Sequence, residues 1–185
     1  MENYSKIILI RGNSGSGKTS VAKILQSKLG EGTFLISQDT VRREMLMVKD
    51  RKGNEAVSLL CELVKYGREN CEIVILEGIL NSEIYYELFQ TVKNEYNSNI
   101  FAYYYDLPFE ETVLRHKTSL KVYDFNEDDM KKWWKDKDYI GFIKEKILTK
   151  NLNMESIVKL ILKDIKRRIN VENITGKSFN GGTVL

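Results

Sequence analysis

The chain has 185 residues, which suits one domain whose core needs neither a disulfide nor a metal ion. Its hydrophobic fraction of 42% and charged fraction of 30% are typical of a globular protein, and a net charge of +3 does not by itself indicate nucleic-acid or membrane binding. Cys61 and Cys71 have neither a metal-ligand nor a disulfide spacing, so we expect a reducing compartment. The first apolar run, residues 7–10, is too short for a signal peptide or a membrane span, and we therefore predict a cytoplasmic protein.

Short apolar runs alternate along the chain with longer stretches of helical spacing. Strands are predicted at residues 6–11, 33–37, 72–77 and 100–105, with a short fifth at 147–149. Helices are predicted at residues 18–29, 40–48, 56–64, 82–92 and 108–119. A closing helix carries Ile157, Ile161 and Ile165 on one stripe, with Asn153 as its predicted N-cap. This alternation predicts a parallel sheet with helices on both faces.

A glycine-rich sequence follows the first predicted strand and opens the first helix. It matches the phosphate-loop pattern G-x-x-x-x-G-K-[ST] at every required position. The glycines let successive backbone N–H groups point at one place, at a helix N-terminus that favours phosphate. The lysine reaches the β- and γ-phosphates, and the threonine hydroxyl is offered to Mg²⁺. The predicted ATP-binding residues are Gly12, Asn13, Ser14, Gly15, Ser16, Gly17, Lys18 and Thr19, with Thr19 as the metal ligand.

The residues after the second strand, Asp39-Thr-Val-Arg42-Arg43, resemble the D-x-x-R element of the polynucleotide kinase group. Zeta toxins and chloramphenicol phosphotransferases carry an acidic residue at the same place. The resemblance implies that Asp39 is the general base that takes the proton of an attacking hydroxyl. It also implies that Arg42, with Arg43 as an adjacent candidate, holds an acidic or phosphate part of the acceptor. A carboxylate just past a strand end lines the ligand crevice of such sheets, although an aspartate there also commonly caps a helix.

The same resemblance implies a fold and a domain organisation. We expect a three-layer α/β P-loop fold whose five-stranded parallel sheet has the order 2-3-1-4-5. A small lid is expected within residues 109–138, in one domain that spans residues 1–170. Residues 171–185 show no clear period and are left as a tail or an edge strand.

Glu77, followed by glycine at the end of the third strand, resembles the strand-end E-G-I of uridine-kinase-like enzymes. Many other P-loop proteins have an aspartate at that place. Two roles stay open: the carboxylate holds Mg²⁺ through water, or it binds a hydroxyl group of the acceptor. An exposed strand end or a helix N-cap would be the ordinary structural use of such a residue.

Residues 107–118 look like the lid that small kinases of this kind place over the phosphates after the fourth strand. Arg115 is the candidate for stabilising charge on the transferring phosphoryl group, because the guanidinium is planar and its charge is spread. Lys117 and Lys121 are weaker candidates. A solvated basic helix face is the alternative for this segment.

Three further residues attract attention but are not favoured as functional. His116 is the only histidine and lies beside Arg115, where a proton shuttle is conceivable. Trp133 and Trp134 are expected to pack against the protein, although an indole can also stack on a base.

Together these motifs predict an ATP-dependent kinase that uses Mg²⁺ and transfers the γ-phosphoryl group to a hydroxyl group. No N-K-x-D element for reading guanine is present, which argues against a guanine-nucleotide switch. The leading acceptor is a small molecule, nucleoside-like or antibiotic-like, with a nucleotide sugar as a variant. A polynucleotide 5′-hydroxyl kinase is the alternative, supported by the D-x-x-R element and the mild basicity. An ATP-gated binding protein with slow hydrolysis is a third hypothesis. The sequence predicts no membrane partner and does not indicate an oligomeric state.

Overall fold

Five parallel strands form one sheet at the centre of the structure, a computed structural model that describes residues 5–117 and 125–177. The strands are β1 (Lys6–Gly12), β2 (Thr33–Ser37), β3 (Ile73–Gly78), β4 (Ile100–Tyr105) and β5 (Glu145–Leu148). Their order across the sheet is β2-β3-β1-β4-β5, and every neighbouring pair is parallel. The predicted order 2-3-1-4-5 is therefore confirmed. Because the strands are parallel, the C-terminal ends of β1, β2 and β3 meet at one edge, which is where ligands bind in such sheets.

The helices of the described residues cover both faces of this sheet. They are α1 (Lys18–Leu29), a π-helix (Thr40–Met45), α2 (Ala56–Asn70), α3 (Tyr86–Tyr96), α4 (Phe109–Lys117), α5 (Glu127–Trp133) and α6 (Met154–Lys177). Alternate side chains of β1 point into the two layers. Ile7 and Leu9 pack with α2 and α3, whereas Ile8 and Ile10 pack with α1 and α6. Within the described part of the chain, no helix combines the length and the apolar character that crossing a bilayer requires.

Two helices before β4 differ from the sequence prediction in type or position, and α2 continues to Asn70, past its predicted end at residue 64. The segment predicted as a helix at 40–48 is a π-helix, Thr40–Met45. The helix predicted at 82–92 is displaced along the chain to Tyr86–Tyr96. The reason is a turn at residues 82–85, in which the side-chain oxygen of Asn81 accepts hydrogen bonds from the backbone N–H groups of Glu83 and Ile84.

The C-terminal part contains one helix that the sequence pattern does not predict and one that is longer than expected. The helix that was not predicted is α5, whose N-terminus is capped by a capping box formed by Asn126 and Asp129. At α6, Asn153 accepts a hydrogen bond from the backbone N–H three residues later at 2.8 Å, which confirms it as the N-cap. This helix continues to Lys177, past the expected boundary at residue 170, so residues 171–177 are helical and not an edge strand. Residues 178–185 of the predicted tail lie outside the described residues.

A fully buried arginine, Arg11, stands near the end of β1, directly before the glycine-rich loop. Its guanidinium forms ion pairs with Asp138 at 2.7 Å and with Glu145 at 3.1 Å. It also donates two hydrogen bonds to the carbonyl oxygen of Leu80, and two aromatic rings lie over it. A charge removed from water is tolerated only when its partners neutralise it and satisfy its hydrogen bonds. Arg11 therefore fixes the loop after β3 and the segment before β5 against the end of β1.

Arg11→Ala should lower the free energy of unfolding by about 3–5 kcal/mol, because it leaves the shielded carboxylates of Asp138 and Glu145 without their cation. Urea unfolding followed by circular dichroism measures the loss. Arg167→Ala, at an exposed position of α6, is the matched control and should change the stability by less than about 0.5 kcal/mol. A loss for Arg11→Ala as small as that of the control would contradict the role given to this network.

Candidate functional site

A crevice of about 1210 Å³ opens where the C-terminal ends of the strands meet. Pockets for a single drug-sized ligand usually have volumes of about 300–1,000 Å³, so this crevice has room for two ligands side by side. The glycine-rich loop, Asp39 and Glu77 all line it, together with residues from α4, α5 and α6. The three strand-end motifs of the sequence are therefore parts of one site.

The glycine-rich loop requires glycine where its backbone turns. Gly12, Gly15 and Gly17 have φ angles of 141°, 75° and 96°, values that side-chain-bearing residues rarely adopt. A Cβ on Gly15 would stand 2.5 Å from the carbonyl oxygen of Thr112, and one on Gly12 would stand 2.9 Å from the side chain of Tyr105. Helix α1 begins directly after the loop, without a side-chain cap. Its first turn therefore presents backbone N–H groups to an anion.

The side chain of Lys18, the first residue of α1, lies against the glycine-rich loop that precedes it. Its Nζ donates to the carbonyl oxygen of Asn13 at 2.8 Å and to the hydroxyl of Ser16 at 3.2 Å. The side chain is only 7% exposed. These contacts hold the ammonium group within the loop, where it can meet a bound phosphate.

Arg115, on α4, also contacts the loop. Its Nη1 donates to the carbonyl oxygen of Ser16 at 3.1 Å, and its Nε donates to Glu111 at 2.7 Å. The alternative of a solvated basic face therefore does not describe Arg115. Lys117 is exposed and does not line the crevice, and Lys121 lies outside the described residues.

The side chain of Asn13 joins the glycine-rich loop by hydrogen bonds to the segment that follows α5. Its Nδ2 donates to the carbonyl oxygen of Lys135 at 2.7 Å, and its Oδ1 accepts from the N–H of the same residue at 3.1 Å. Asn13 is 7% exposed, so both hydrogen bonds are shielded from water. Because the carbonyl group of Asn13 also holds Lys18, this pair of bonds positions the lysine as well as the loop.

The carboxylate of Glu77 is buried beside the start of α1. The hydroxyl of Thr19 donates to its two oxygens at 3.1 and 3.2 Å, and the hydroxyl of Ser37 donates at 2.7 Å. Among the described residues, no lysine or arginine forms an ion pair with it. A buried carboxylate without a basic partner suits a cation. Oxygen ligands beside a phosphate site suit Mg²⁺, so Thr19 and Glu77 fit that metal ion. The alternative of an exposed strand end is wrong.

Asp39 directly precedes the π-helix, at its N-cap position, and lines the crevice. Its side chain makes no helix-capping hydrogen bond, so capping does not explain its position. Instead its Oδ1 accepts from Nη2 of Arg42 at 3.2 Å and lies 3.5 Å from Nε of Arg43. Arg42 also donates to the carbonyl oxygen of Val48 at 3.1 Å, and the N–H of Val48 donates back to the carbonyl of Arg42 at 2.9 Å. The structure thus brings all three predicted residues of the D-x-x-R element together.

The two tryptophans pack against the protein as expected, and His116 is packed in the same region. His116 is buried, stacks on Phe125 with a centroid distance of 4.4 Å, and has its Nε2 2.8 Å from the carbonyl oxygen of that residue. Trp133 lies edge-on to Phe125 at 5.3 Å, and Trp134 lies edge-on to Phe109 at 5.1 Å. Both tryptophans also line the crevice, which sequence reasoning did not predict.

Sequence reasoning missed a chain of three polar side chains beside the crevice. The hydroxyl of Tyr85 donates to Oδ1 of Asp50 at 2.7 Å and accepts from Nε2 of Gln38 at 2.7 Å. Burial, with the neighbouring Asp50 carboxylate, raises the pKa of Tyr85 well above its usual value, so the hydroxyl keeps its proton and acts as a donor. No motif or spacing marks these positions, because only the folded chain brings them together.

The lining of the crevice is rich in basic side chains. The basic residues are Lys18, Lys23, Arg42, Arg43, Lys49, Arg115, Lys132 and Lys135, whereas the acidic residues are Asp39, Asp50 and Glu77. Such an excess concentrates anions at the site. The small net charge of the whole chain does not reveal it, because acidic residues elsewhere offset it.

Comparison with known protein families gives one match. The family model described as Zeta toxin matches residues 2–105, which is more than half of the chain. The matched part includes the glycine-rich loop, the D-x-x-R element and Glu77. The resemblance to the zeta toxins inferred from the sequence is confirmed. Comparison with the sequences of curated proteins gives no match.

Solved structures of similar fold include kinases and a resistance protein. A gluconokinase from Sinorhizobium meliloti 1021 has a TM-score of 0.62 at 14% identity, over 95% of this chain and 99% of that chain. The tunicamycin resistance protein of Deinococcus radiodurans has a TM-score of 0.61 at 15% identity, over 88% and 96%. The APS kinase of Mycobacterium tuberculosis, in complex with AMPPNP and APS, has a TM-score of 0.54 at 18% identity, over 86% and 96%. These similarities show that the chain has the three-layer P-loop kinase fold, and they do not identify an acceptor.

Asn13→Ala should weaken nucleotide binding and lower the free energy of unfolding by about 1–3 kcal/mol, because both hydrogen bonds to Lys135 are lost. Calorimetric titration with AMPPNP and chemical denaturation measure the two effects. Asn94→Ala, at an exposed position of α3, is the matched control and should leave both quantities unchanged. Wild-type affinity in Asn13→Ala would mean that the loop is positioned without this contact.

Proposed function

Because this chain belongs to the zeta toxin family, we propose that it is an ATP-dependent kinase that transfers the γ-phosphoryl group to a hydroxyl group of a small acceptor. One observation carries the proposal. Asp39, with two arginines on its carboxylate, shares a crevice with a complete phosphate loop. A general base and a phosphate site in one cavity are the two parts that phosphoryl transfer to an alcohol requires.

In the proposed reaction, the carboxylate of Asp39 orients the acceptor hydroxyl and takes its proton as the hydroxyl oxygen attacks the γ-phosphorus. The bond from the γ-phosphorus to the bridging oxygen breaks, and ADP leaves with that oxygen. Lys18 and Arg115, which both contact the phosphate loop, stabilise the charge on the transferring group. Thr19 and Glu77 would hold Mg²⁺, which supplies neutralising charge to the β- and γ-phosphates when bound.

The acceptor is proposed to carry a negatively charged group. Arg42 and Arg43 face the crevice beside Asp39, and Lys49 lies on the following loop. Guanidinium groups bind phosphate and carboxylate through paired hydrogen bonds. The basic lining therefore favours, among the nucleoside-like and antibiotic-like acceptors, those that are acidic or phosphorylated.

A polynucleotide 5′-hydroxyl kinase is the second candidate, and the same basic lining supports it. An oligonucleotide contacts several cations at once, and its binding weakens steeply as salt rises. A small acceptor that releases fewer counterions responds less to salt. The dependence of the acceptor KM on salt therefore separates the two candidates.

ADP release should be stimulated by at least one acceptor when ATP and Mg²⁺ are present. The panel contains nucleosides, nucleotide sugars, 5′-hydroxyl oligonucleotides, gluconate, and antibiotics of the chloramphenicol and aminoglycoside types. Stimulation by an acceptor supports the kinase and identifies its substrate class. Tight ATP binding with ADP release that no acceptor stimulates would instead support an ATP-gated binding protein.

Asp39→Asn should reduce kcat by about 100-fold or more while the affinity for AMPPNP stays within about twofold, because an amide cannot take the proton. Lys18→Ala, in contrast, should lose nucleotide affinity as well as turnover. Asp128→Asn, an exposed aspartate of α5, is the control and should behave as wild type. Normal turnover by Asp39→Asn with the identified acceptor would eliminate Asp39 as the base.

A further inference from the structure

Asp50 is a carboxylate of the crevice that the proposed phosphoryl transfer does not use. It lies on the loop between the π-helix and α2, it is exposed, and it lines the same crevice as Asp39. Within residues 5–117 and 125–177, no lysine or arginine lies at ion-pair distance from it. Its Oδ1 nevertheless accepts the hydroxyl proton of Tyr85 at 2.7 Å. The hydrogen bond from Tyr85 thus orients the Asp50 carboxylate at the edge of the crevice.

The anchor of this carboxylate is deeply buried. Tyr85 has no exposed surface and Gln38 is 1% exposed, and Nε2 of Gln38 donates to the phenol oxygen at 2.7 Å. Since the phenol oxygen already accepts this bond, its own proton is directed to Asp50. Gln38 also directly precedes Asp39 in the chain. The position of Asp50 is therefore set from the same strand end as the proposed base.

The loop that carries Asp50 is also hydrogen-bonded to Arg42, the arginine that is proposed to bind the acceptor. Arg42 and Val48 exchange two hydrogen bonds, at 3.1 and 2.9 Å, and Val48 lies two residues before Asp50. The segment that carries Asp50 is therefore hydrogen-bonded to the arginine that is proposed to hold the acceptor. Two fixed groups of opposite charge in one crevice can recognise two different groups of a single ligand.

We propose that Asp50 is a specificity residue, which accepts a hydrogen bond from a second acceptor hydroxyl that is not phosphorylated. This inference rests on the proposed kinase function and deepens it. A carboxylate can only accept hydrogen bonds, so it selects a donor group. The nearby Arg42, Arg43 and Lys49 disfavour an ammonium donor. Among neutral donors we infer a hydroxyl, the group that the proposed phosphoryl transfer already requires of the acceptor. The acceptor class is then a polyhydroxylated compound with a phosphate or carboxylate group.

The test uses two probes, ribose 5-phosphate and pentyl phosphate, which share a phosphate group but differ in hydroxyl groups. Calorimetry measures their binding to the protein saturated with AMPPNP and Mg²⁺. Wild type should prefer ribose 5-phosphate by about 10- to 100-fold, as expected for hydrogen bonds to a charged group. Asp50→Ala should lose most of this preference while keeping its affinity for pentyl phosphate, because only the hydroxyl contact is removed.

Two further variants make the comparison specific. Glu31→Ala removes an exposed carboxylate just before β2, at the opposite edge of the sheet, and should retain the full preference. Tyr85→Phe keeps the carboxylate but removes its anchor, so it should reduce the preference by a smaller factor. A positioning role for Tyr85 predicts this order of effects, and a purely structural role does not.

The outcomes separate this inference from the kinase proposal. An unchanged preference in Asp50→Ala overturns the role of Asp50, and so does a wild type that binds the two probes equally or binds neither. If the wild type also releases ADP in response to an acceptor, the kinase function stands and only the inference about Asp50 fails. If no acceptor stimulates ADP release, the kinase function fails on its own measurement.

Discussion

The buried charge of Arg11 is the constraint on which the rest of the site depends. A guanidinium without access to water needs negative partners, and Asp138, Glu145 and the carbonyl oxygen of Leu80 supply them. Leu80 belongs to the loop after β3, Asp138 to the segment between α5 and β5, and Glu145 to β5 itself, while Arg11 belongs to the strand that bears the phosphate loop. One buried charge therefore joins the strand before the phosphate loop to two other segments that contribute residues to the crevice.

The strands and the phosphate loop could be predicted because their information is local. The apolar runs of β2 and β4 coincide with the observed strands, and the glycine spacing alone identifies the loop. The meeting of Asp39 and Glu77 with that loop follows from the rule that parallel strands end at one edge. Arg11 could not be predicted, because in the sequence it only ends an apolar run. The carboxylates that permit its burial lie 127 and 134 residues later.

Three further features could not be predicted from the sequence, for physical reasons that differ. The spacing of residues 40–48 does not distinguish an α-helix from the π-helix that brings two arginines to Asp39. Helix α5 buries only Met130, so it lacks the apolar stripe by which helices are recognised. The contact between Asp50 and Tyr85 joins two loops across 35 residues, and neither residue belongs to a motif. Local periodicity carries no information about such pairs.

The placement of the tryptophans has a practical consequence. The chain has two tryptophans, and both lie in the lining of the crevice. Trp133 is 40% exposed, with the guanidinium of Arg43 6.0 Å from its ring centroid, while Trp134 packs on Phe109. Indole emission responds to the charge and polarity around the ring, and the chain has no third tryptophan to add a background signal. The intrinsic fluorescence of the protein should therefore change when a ligand occupies the crevice, so that binding can be followed without an attached label.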